Sequence, residues 1–243
     1  MRNAVTDWRR VGAVPRLDNN ALHIWCALAS EHAPALPHFT RCLSFGELQR
    51  AGRLRMPKLR ERYIISRGLL RWLLGNYLDC TPESIPIACT LQGKPYLPAS
   101  CSTAQLHFNL SHSRNAILFA VRHEKPIGID VEYMRDSVDF VSLAKRFFSK
   151  QGYREINRLA GLGQRNAFYT CWTRKEAYLK ATGKGLAGLK EAALLEHGVQ
   201  SVCKDWIIID LKMPEPYYVG AVALAGAPAQ IDTLLLTPDV HSV

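Results

Sequence analysis

The chain changes rhythm at Glu124-Lys125-Pro126. Proline fixes φ and lacks a backbone donor, so neither a helix nor a central strand runs through it. Before this break, residues 21–29 form a short apolar run with strand character. Residues 43–54 read as a helix, with Ser44 as N-cap and Glu47 three residues on, the spacing of a capping box. Residues 59–78 read as a long amphipathic helix in which Leu59, Tyr63, Leu70, Leu74 and Tyr77 fall near helical spacing. Thr81-Pro82-Glu83 opens a turn, and Gln92-Gly93-Lys94-Pro95 is turn chemistry. Two apolar runs, 106–110 and 116–121, predict strands joined by a polar loop, SHSRN.

After the break, Ile127–Tyr133 alternates as a strand does. Residues 138–148 and 165–182 predict helices, the second stopped by Gly183. The stretches 206–211, 217–225 and 231–236 are mostly strand. Each half thus joins helices to strands, which predicts an α+β fold. Its expected lobes are 1–126 and 127–243, although no sequence repeat relates them.

A length of 243 residues suits one large or two small domains. With 48% hydrophobic and 21% charged residues, the chain reads as globular rather than disordered. No apolar run reaches 18 residues, so no membrane span is expected. The first 20 residues lack an apolar signal core and carry Asp7 and Asp18, which points to the cytoplasm. Seven widely spaced cysteines without a Cys-x-x-Cys are expected to be reduced and mostly buried.

The charge is lopsided. Residues 1–126 hold 17 basic and 8 acidic side chains, a balance of +9, against +1 for the remainder. Residues 50–71 alone hold eight basic residues against Glu61. Such a cluster is either a solvated helix face or an attraction for something anionic: nucleic acid, an anionic membrane, a phosphorylated small molecule or an acidic protein.

Three stretches carry groups suited to chemistry. In Gly128-Ile129-Asp130-Val131-Glu132, strand alternation puts Asp130 and Glu132 on one face, roughly 6–7 Å apart. Facing water they are ordinary; facing a cleft they want a hard cation such as Mg²⁺. In the helix from Trp172, residues Trp172, Glu176 and Lys180 stack at i, i+4 and i+8. Glu176 and Lys180 are then either a surface ion pair, or a third metal carboxylate beside an ammonium that holds phosphate. Asn109-Leu110-Ser111-His112-Ser113 joins an apolar run to the expected loop. It offers turn formation, a phosphate site or a Ser–His pair, although adjacent residues on an extended chain point apart.

Taken in order, these stretches resemble the 4′-phosphopantetheinyl transferases of the long, Sfp-type class. Gly93-Lys94-Pro95, Asn109–Ser113, Gly128–Glu132, Ala144–Ser149, Trp172–Ala177 with Lys180, and Gly183–Leu186 carry the resemblance, which covers about residues 44–186. It implies two similar α/β lobes in a pseudo-twofold arrangement with the active site between them. It further implies Mg²⁺-dependent transfer of 4′-phosphopantetheine from coenzyme A to a serine of an apo carrier protein, with adenosine 3′,5′-bisphosphate as the other product. By carry-over, Asp130, Glu132 and Glu176 hold Mg²⁺, and Glu176 or a water is the base. Lys180 and Ser111 meet the diphosphate with Lys175 nearby, and Lys180 stabilises the leaving phosphate. Arg67 and His112 hold the 3′-phosphate, Lys94 and Pro95 line the adenine–ribose side, and Arg50 and Arg53 add phosphate contacts. The 138–149 helix helps receive the carrier, which in such systems is typically acidic. The expected protein is a monomer that binds neither nucleic acid nor membrane. A nucleotide-acting Mg²⁺ enzyme of another kind lacks its Gly-x-x-x-x-Gly-Lys-Ser/Thr loop here. A nucleic-acid binder leaves the three carboxylates unexplained.

Overall fold

The structure is a computed structural model and describes residues 7–99, 105–188, 192, 200–203 and 205–238. In chain order the first part holds β1 (Trp8–Val11), β2 (Ala21–Leu28), α1 (Ala29–His32), α2 (Leu36–Cys42), α3 (Phe45–Arg53) and α4 (Pro57–Leu78). The hairpin β3 (Ala88–Cys89) and β4 (Pro95–Tyr96) follows, then β5 (Leu106–Ser113) and β6 (Ala116–His123). The second part holds β7 (Ile127–Tyr133), α5 (Phe140–Phe147), α6 (Lys150–Arg158) and α7 (Gly161–Thr182). It ends with β8 (Gln200–Cys203), β9 (Trp206–Lys212), β10 (Tyr218–Ala225) and β11 (Gln230–Leu236).

Local chemistry explains the helix limits. Ser44 Oγ accepts from the Glu47 N–H while Glu47 accepts from the Ser44 N–H, the reciprocal capping box at the start of α3. Pro57 opens α4, where a missing donor costs nothing. Gly183, at φ 68°, closes α7 in the left-handed conformation that glycine adopts freely.

Each half repeats one plan. In the first, β2, the 22-residue α4 and the hairpin β5–β6 give the strand order β2-β6-β5. In the second, β7, the 22-residue α7 and the hairpin β9–β10 give β7-β10-β9. The expected pair of similar α/β lobes is therefore present in topology. The sequence repeat is absent because burial pattern, not residue identity, sets such a plan.

The two sheets pack face to face. Leu22, Ile24, Leu118 and Ala120 of the first sheet meet Ile127, Ile129, Val131 and Val222 of the second. The outer faces take the long helices: Trp25, Ile117 and Phe119 pack with Ile65, Leu69 and Leu73 of α4. Ala221 and Ala223 pack with Ala177, Tyr178 and Ala181 of α7. Contact between β7 and α7 is so close at Gly128 that an added Cβ would stand 2.1 Å from the Ala177 carbonyl oxygen.

Several expectations need correction. Ser111-His112-Ser113 is strand, not loop, because a two-residue connection, Arg114-Asn115, suffices to turn β5 into β6. The helix α6, capped by Ser149, was not expected. The long helices begin earlier, at Pro57 and Gly161. The expected 127–243 unit is not self-contained, since β11 returns to the first sheet and lies parallel between β1 and β2. Cys26 and Cys42 are buried, but Cys80 and Cys89 are exposed and Cys171 is intermediate. Cys101 and the side chain of Cys203 lie outside the described residues.

Candidate active site

The seam between the sheets runs along two edge strands, β5 and β7. On β5 the even residues Leu106, Phe108 and Leu110 pack toward α4. The odd residues Asn109, Ser111 and Ser113 instead reach across to β7. Asn109 Oδ1 accepts from the Ile129 N–H at 2.8 Å, and Ser111 Oγ donates to Asp130 Oδ1 at 2.8 Å. Ser113 Oγ donates to Glu132 Oε2 at 2.8 Å and accepts from the Tyr133 N–H at 3.1 Å. One face of one strand thus fixes two carboxylates on its neighbour.

Asp130 is only 3% exposed. Its Oδ1 also accepts from Lys180 Nζ at 2.7 Å, and Lys180 donates to Ser111 Oγ at 2.8 Å. Of the two readings of Lys180, the surface pair with Glu176 is not the one found: α7 turns Lys180 toward β7, where it bridges to Asp130. Asp130 Oδ2 is buried and has no hydrogen-bond partner. Burial, with the Asp130 charge added, raises both Glu132 and Glu176 above the usual carboxylate range.

With Asp130 bonded behind Ser111 and Lys180, those two and Glu176 line a cleft of about 770 Å³, a size suited to a cofactor. Arg50, Tyr63, Arg67, Lys94, Pro95, Ser111, His112, Glu176 and Lys180 are among its lining residues, with Gly183 and Gly185 beyond α7. Glu47 organises another part of the lining. Buried beside α4, it accepts from Arg67 Nη2 at 2.7 Å and from Arg71 Nε at 2.6 Å. Burial alone would raise its carboxyl, but Arg67, the Ser44 N–H and Arg71 hold it low. Lys94 Nζ donates to the carbonyls of Ile127 and Ala181, tying the β3–β4 hairpin to β7 and α7. Burial pushes its ammonium down to about 8. His112 keeps solvent contact, yet enclosure in the cleft and the Arg62 and Lys180 cations hold it well below its usual value.

Asp130 and Glu132 stand behind the cleft lining, and two further expected residues are not brought here. Lys175 is buried beneath α5, donating to the Phe147 carbonyl at 2.8 Å with its ammonium 4.5 Å from the Phe148 ring centre. It follows Arg174 on the helix side turned away from the cleft. Arg53 ends α3 in solvent and does not line the cleft. Glu47 and Ser113 were missed as site residues; the capping-box spacing and the period-two alternation of Asn109, Ser111 and Ser113 were their signals.

The donor set suits a hard divalent cation. It offers carboxylate oxygens, one of them an orphaned buried acceptor, and two acids whose charge is disfavoured without a counterion. Among the described residues no three such groups form a ready-made metal cage. Mg²⁺ does not need one, since it keeps waters and takes phosphate oxygens.

Comparison with known proteins gives the family. Residues 126–220 match the model of the 4′-phosphopantetheinyl transferase superfamily, and residues 29–124 match that of the 4′-phosphopantetheinyl transferase N-terminal region. The chain is 38% identical to the 4′-phosphopantetheinyl transferase HetI of Nostoc sp. over 212 residues, 86% of this chain and 89% of that protein. It is 32% identical to the transferase Sfp of Bacillus subtilis over 127 residues, 52% of this chain and 54% of the other. With the transferase AcpT of Salmonella typhimurium it shares 36% identity over 112 residues, 46% and 58% of the two chains. Since the first of these relatives is matched over nearly its whole length, the chain belongs to the 4′-phosphopantetheinyl transferase superfamily.

Proposed function

We propose that the cleft binds coenzyme A with Mg²⁺ and transfers the 4′-phosphopantetheine group to a serine hydroxyl of an apo acyl or peptidyl carrier protein. Adenosine 3′,5′-bisphosphate leaves, and the activity is that of a holo-[acyl-carrier-protein] synthase. One observation carries this reading: Lys180, bridged to buried Asp130, lines one cleft together with Arg50, Arg67 and Lys94. A molecule with a diphosphate at its centre and a further phosphate at one end matches that layout.

Arg67 and His112 hold the 3′-phosphate, with Arg50 alongside, and Glu47 keeps the Arg67 guanidinium in place. Lys94 and Pro95 border the adenine and ribose. Asp130, Glu132 and Glu176 are the residues that would hold Mg²⁺, which when bound neutralises charge on the diphosphate. Ser111 orients Lys180, whose ammonium donates to the leaving phosphate as charge grows on it. Glu176, raised by burial and by Asp130, accepts the proton of the attacking serine hydroxyl. Arg53 and Lys175 take no part. The chain works as a cytoplasmic monomer, with the lobe of residues 1–126 gripping the coenzyme and the carboxylates supplied from 127–243.

The test is incubation with coenzyme A, Mg²⁺ and a panel of apo carriers, with products weighed by mass spectrometry. One phosphopantetheine added per carrier, abolished by chelator and restored by Mg²⁺, is expected. Full transfer in excess chelator overturns the metal reading, and failure on every carrier overturns the reaction.

A further inference from the structure

We propose that the projecting tip between α3 and α4, residues 53–60, is a contact surface for an anionic lipid bilayer. This goes beyond the function proposed above and does not depend on which reaction the cleft performs. It departs from the expectation that the chain binds no membrane. Among the described residues no helix is long and apolar enough to cross a bilayer. Lying against one takes only apolar side chains with cations around them.

The tip stands clear of the body. A helix that lies on a core buries a residue every three or four positions, and α4 does so from Ile64 onward. Its first turn does not. Pro57, Lys58, Leu59 and Arg60 are all exposed, as are Arg55 and Met56 before them. Two large apolar side chains there face water: Met56 is 62% exposed and Leu59 36%. The exposed apolar surface continues on α3 with Phe45 and Leu48, three residues apart and so on one side of that helix.

The charge around these side chains has one sign. Residues 48–60 hold five basic side chains and no acid. Of the five, only Arg50 lines the cleft, so the charge of Arg53, Arg55, Lys58 and Arg60 is not used there. Arg60 also donates to the Leu54 carbonyl at 3.1 Å, which ties the start of α4 to the end of α3. The first turn of α4 contains no acid and no side chain caps it, so the positive end of the helix dipole adds to the cations.

Cations alone would draw nucleic acid, an acidic protein or lipid headgroups. The apolar side chains decide between them. A nucleic-acid backbone is read through phosphate contacts and gives Met56 and Leu59 nothing to bury against. A protein partner of standard size covers roughly 800 Å² on each side, more than a projecting tip presents. A bilayer accepts a wedge: Met56 and Leu59 enter the headgroup boundary while the arginines and Lys58 stay among the lipid phosphates. Because α3 also lines the cleft, through Gly46, Glu47 and Arg50, a docked tip sets the cleft beside the lipid surface.

The test is cosedimentation of the full chain with phosphatidylcholine vesicles made with and without phosphatidylglycerol. Two double variants probe the tip: Arg55→Glu with Lys58→Glu, and Met56→Ser with Leu59→Ser. A third, Lys150→Glu with Arg154→Glu, makes the same change of net charge on α6. All six side chains are exposed, so each variant should melt with the wild type. Wild type should bind anionic vesicles roughly tenfold or more tightly than neutral ones, and high salt should erase the difference. The charge variant of the tip should lose most of that preference. The apolar variant should bind anionic vesicles about fivefold more weakly, while the α6 variant stays within about twofold of wild type. Equal binding of wild type to both vesicle types overturns the proposal, as does an equal loss in the α6 variant. Wild-type affinity in the Met56→Ser, Leu59→Ser protein overturns the insertion of apolar side chains. Tighter binding of a single-stranded oligonucleotide or an acidic carrier than of anionic vesicles, lost in the tip variants, overturns the choice of partner.

Discussion

Lys180 Nζ stands 2.7 Å from Asp130 Oδ1 and 2.8 Å from Ser111 Oγ, so one ammonium joins α7, β7 and β5 at the seam of the lobes. The Lys180 side chain is 30% exposed, and it faces the cleft. Lys180→Ala should lose at least a hundredfold in transfer rate, the cost of removing one preorganised donor to a growing negative charge. It also leaves the buried Asp130 carboxylate without its cation, which should lower the melting temperature. Single-turnover kinetics and calorimetry on the same preparation separate the two effects. Turnover within threefold of wild type would return Lys180 to a structural role.

Ser113 gives a test of how the carboxylates are aimed. Its hydroxyl holds Glu132 and takes the Tyr133 N–H, joining β5 to β7 across the seam of the lobes. Groups that orient a metal ligand typically cost 10- to 100-fold in metal affinity when removed. Ser113→Ala should therefore bind Mn²⁺, followed by electron paramagnetic resonance with coenzyme A present, at least tenfold more weakly. Ser113→Thr, which keeps the hydroxyl, should recover most of that loss. Asp130→Ala serves as the positive control and should weaken Mn²⁺ binding further.

Much of this site was legible because it follows short-range rules. Strand alternation put Asp130 and Glu132 on one face, and the Ser44–Glu47 spacing gave the α3 cap. What was not legible depends on partners distant in sequence. Ser111 and Ser113 read as loop because polar residues usually seek water, whereas here they bond to β7. Lys175 looked like a second phosphate ligand, and only the placement of α5 shows it spent on the Phe147 carbonyl. β11 crosses to the first sheet through a parallel pairing that no local pattern encodes. Glu47 was visible as a cap, but its grip on Arg67 and Arg71 needed α4 packed against α3.

Glu47 should be the most costly surface-adjacent acid to remove. Two arginines depend on it, and Arg71 is 2% exposed. Breaking a buried pair from one side costs about 3–5 kcal/mol, although Arg71 keeps bonds to the Pro82 and Ile85 carbonyls. Glu47→Ala should thus lose about 3 kcal/mol in urea unfolding, and it should raise the KM for coenzyme A by freeing Arg67. The pH sign follows from its lowered carboxyl. The stabilisation is present above the usual carboxylate range and fades as pH falls through the folded value. A variant as stable as wild type at pH 7 would show the pairs to be ornamental.

Glu132 and Glu176 carry the opposite sign. Both are raised above 4.5, by burial first and the Asp130 charge second. The folded chain then binds more protons than the unfolded one between 4.5 and the raised values. Their contribution to stability therefore falls as pH rises through that window. In a metal-chelated sample, Glu132→Gln and Glu176→Gln should each flatten that fall in a series of melts. Equal slopes in wild type and both variants would remove the strain from these carboxylates.

Gly128 tests the tightest surroundings of any described glycine. Its Cα faces α7, where a methyl group would stand 2.1 Å from the Ala177 carbonyl oxygen and 2.3 Å from the Ala181 nitrogen. Both obstacles are backbone, so no side chain can swing aside, and relief requires β7 to move off α7. That movement would also separate Asp130 on β7 from Lys180 on α7 and strip the Ile127 and Ala181 carbonyls from Lys94. Gly128→Ala should consequently cost about 3 kcal/mol or more, beyond the usual 1–3 kcal/mol of overpacking, and abolish transfer where any folded protein survives. Gly12→Ala is the control, since nothing lies within 4 Å of its position and its effect should stay within about 0.5 kcal/mol. Soluble, fully active Gly128→Ala protein with a wild-type melt would mean that β7 and α7 are not pressed together as described.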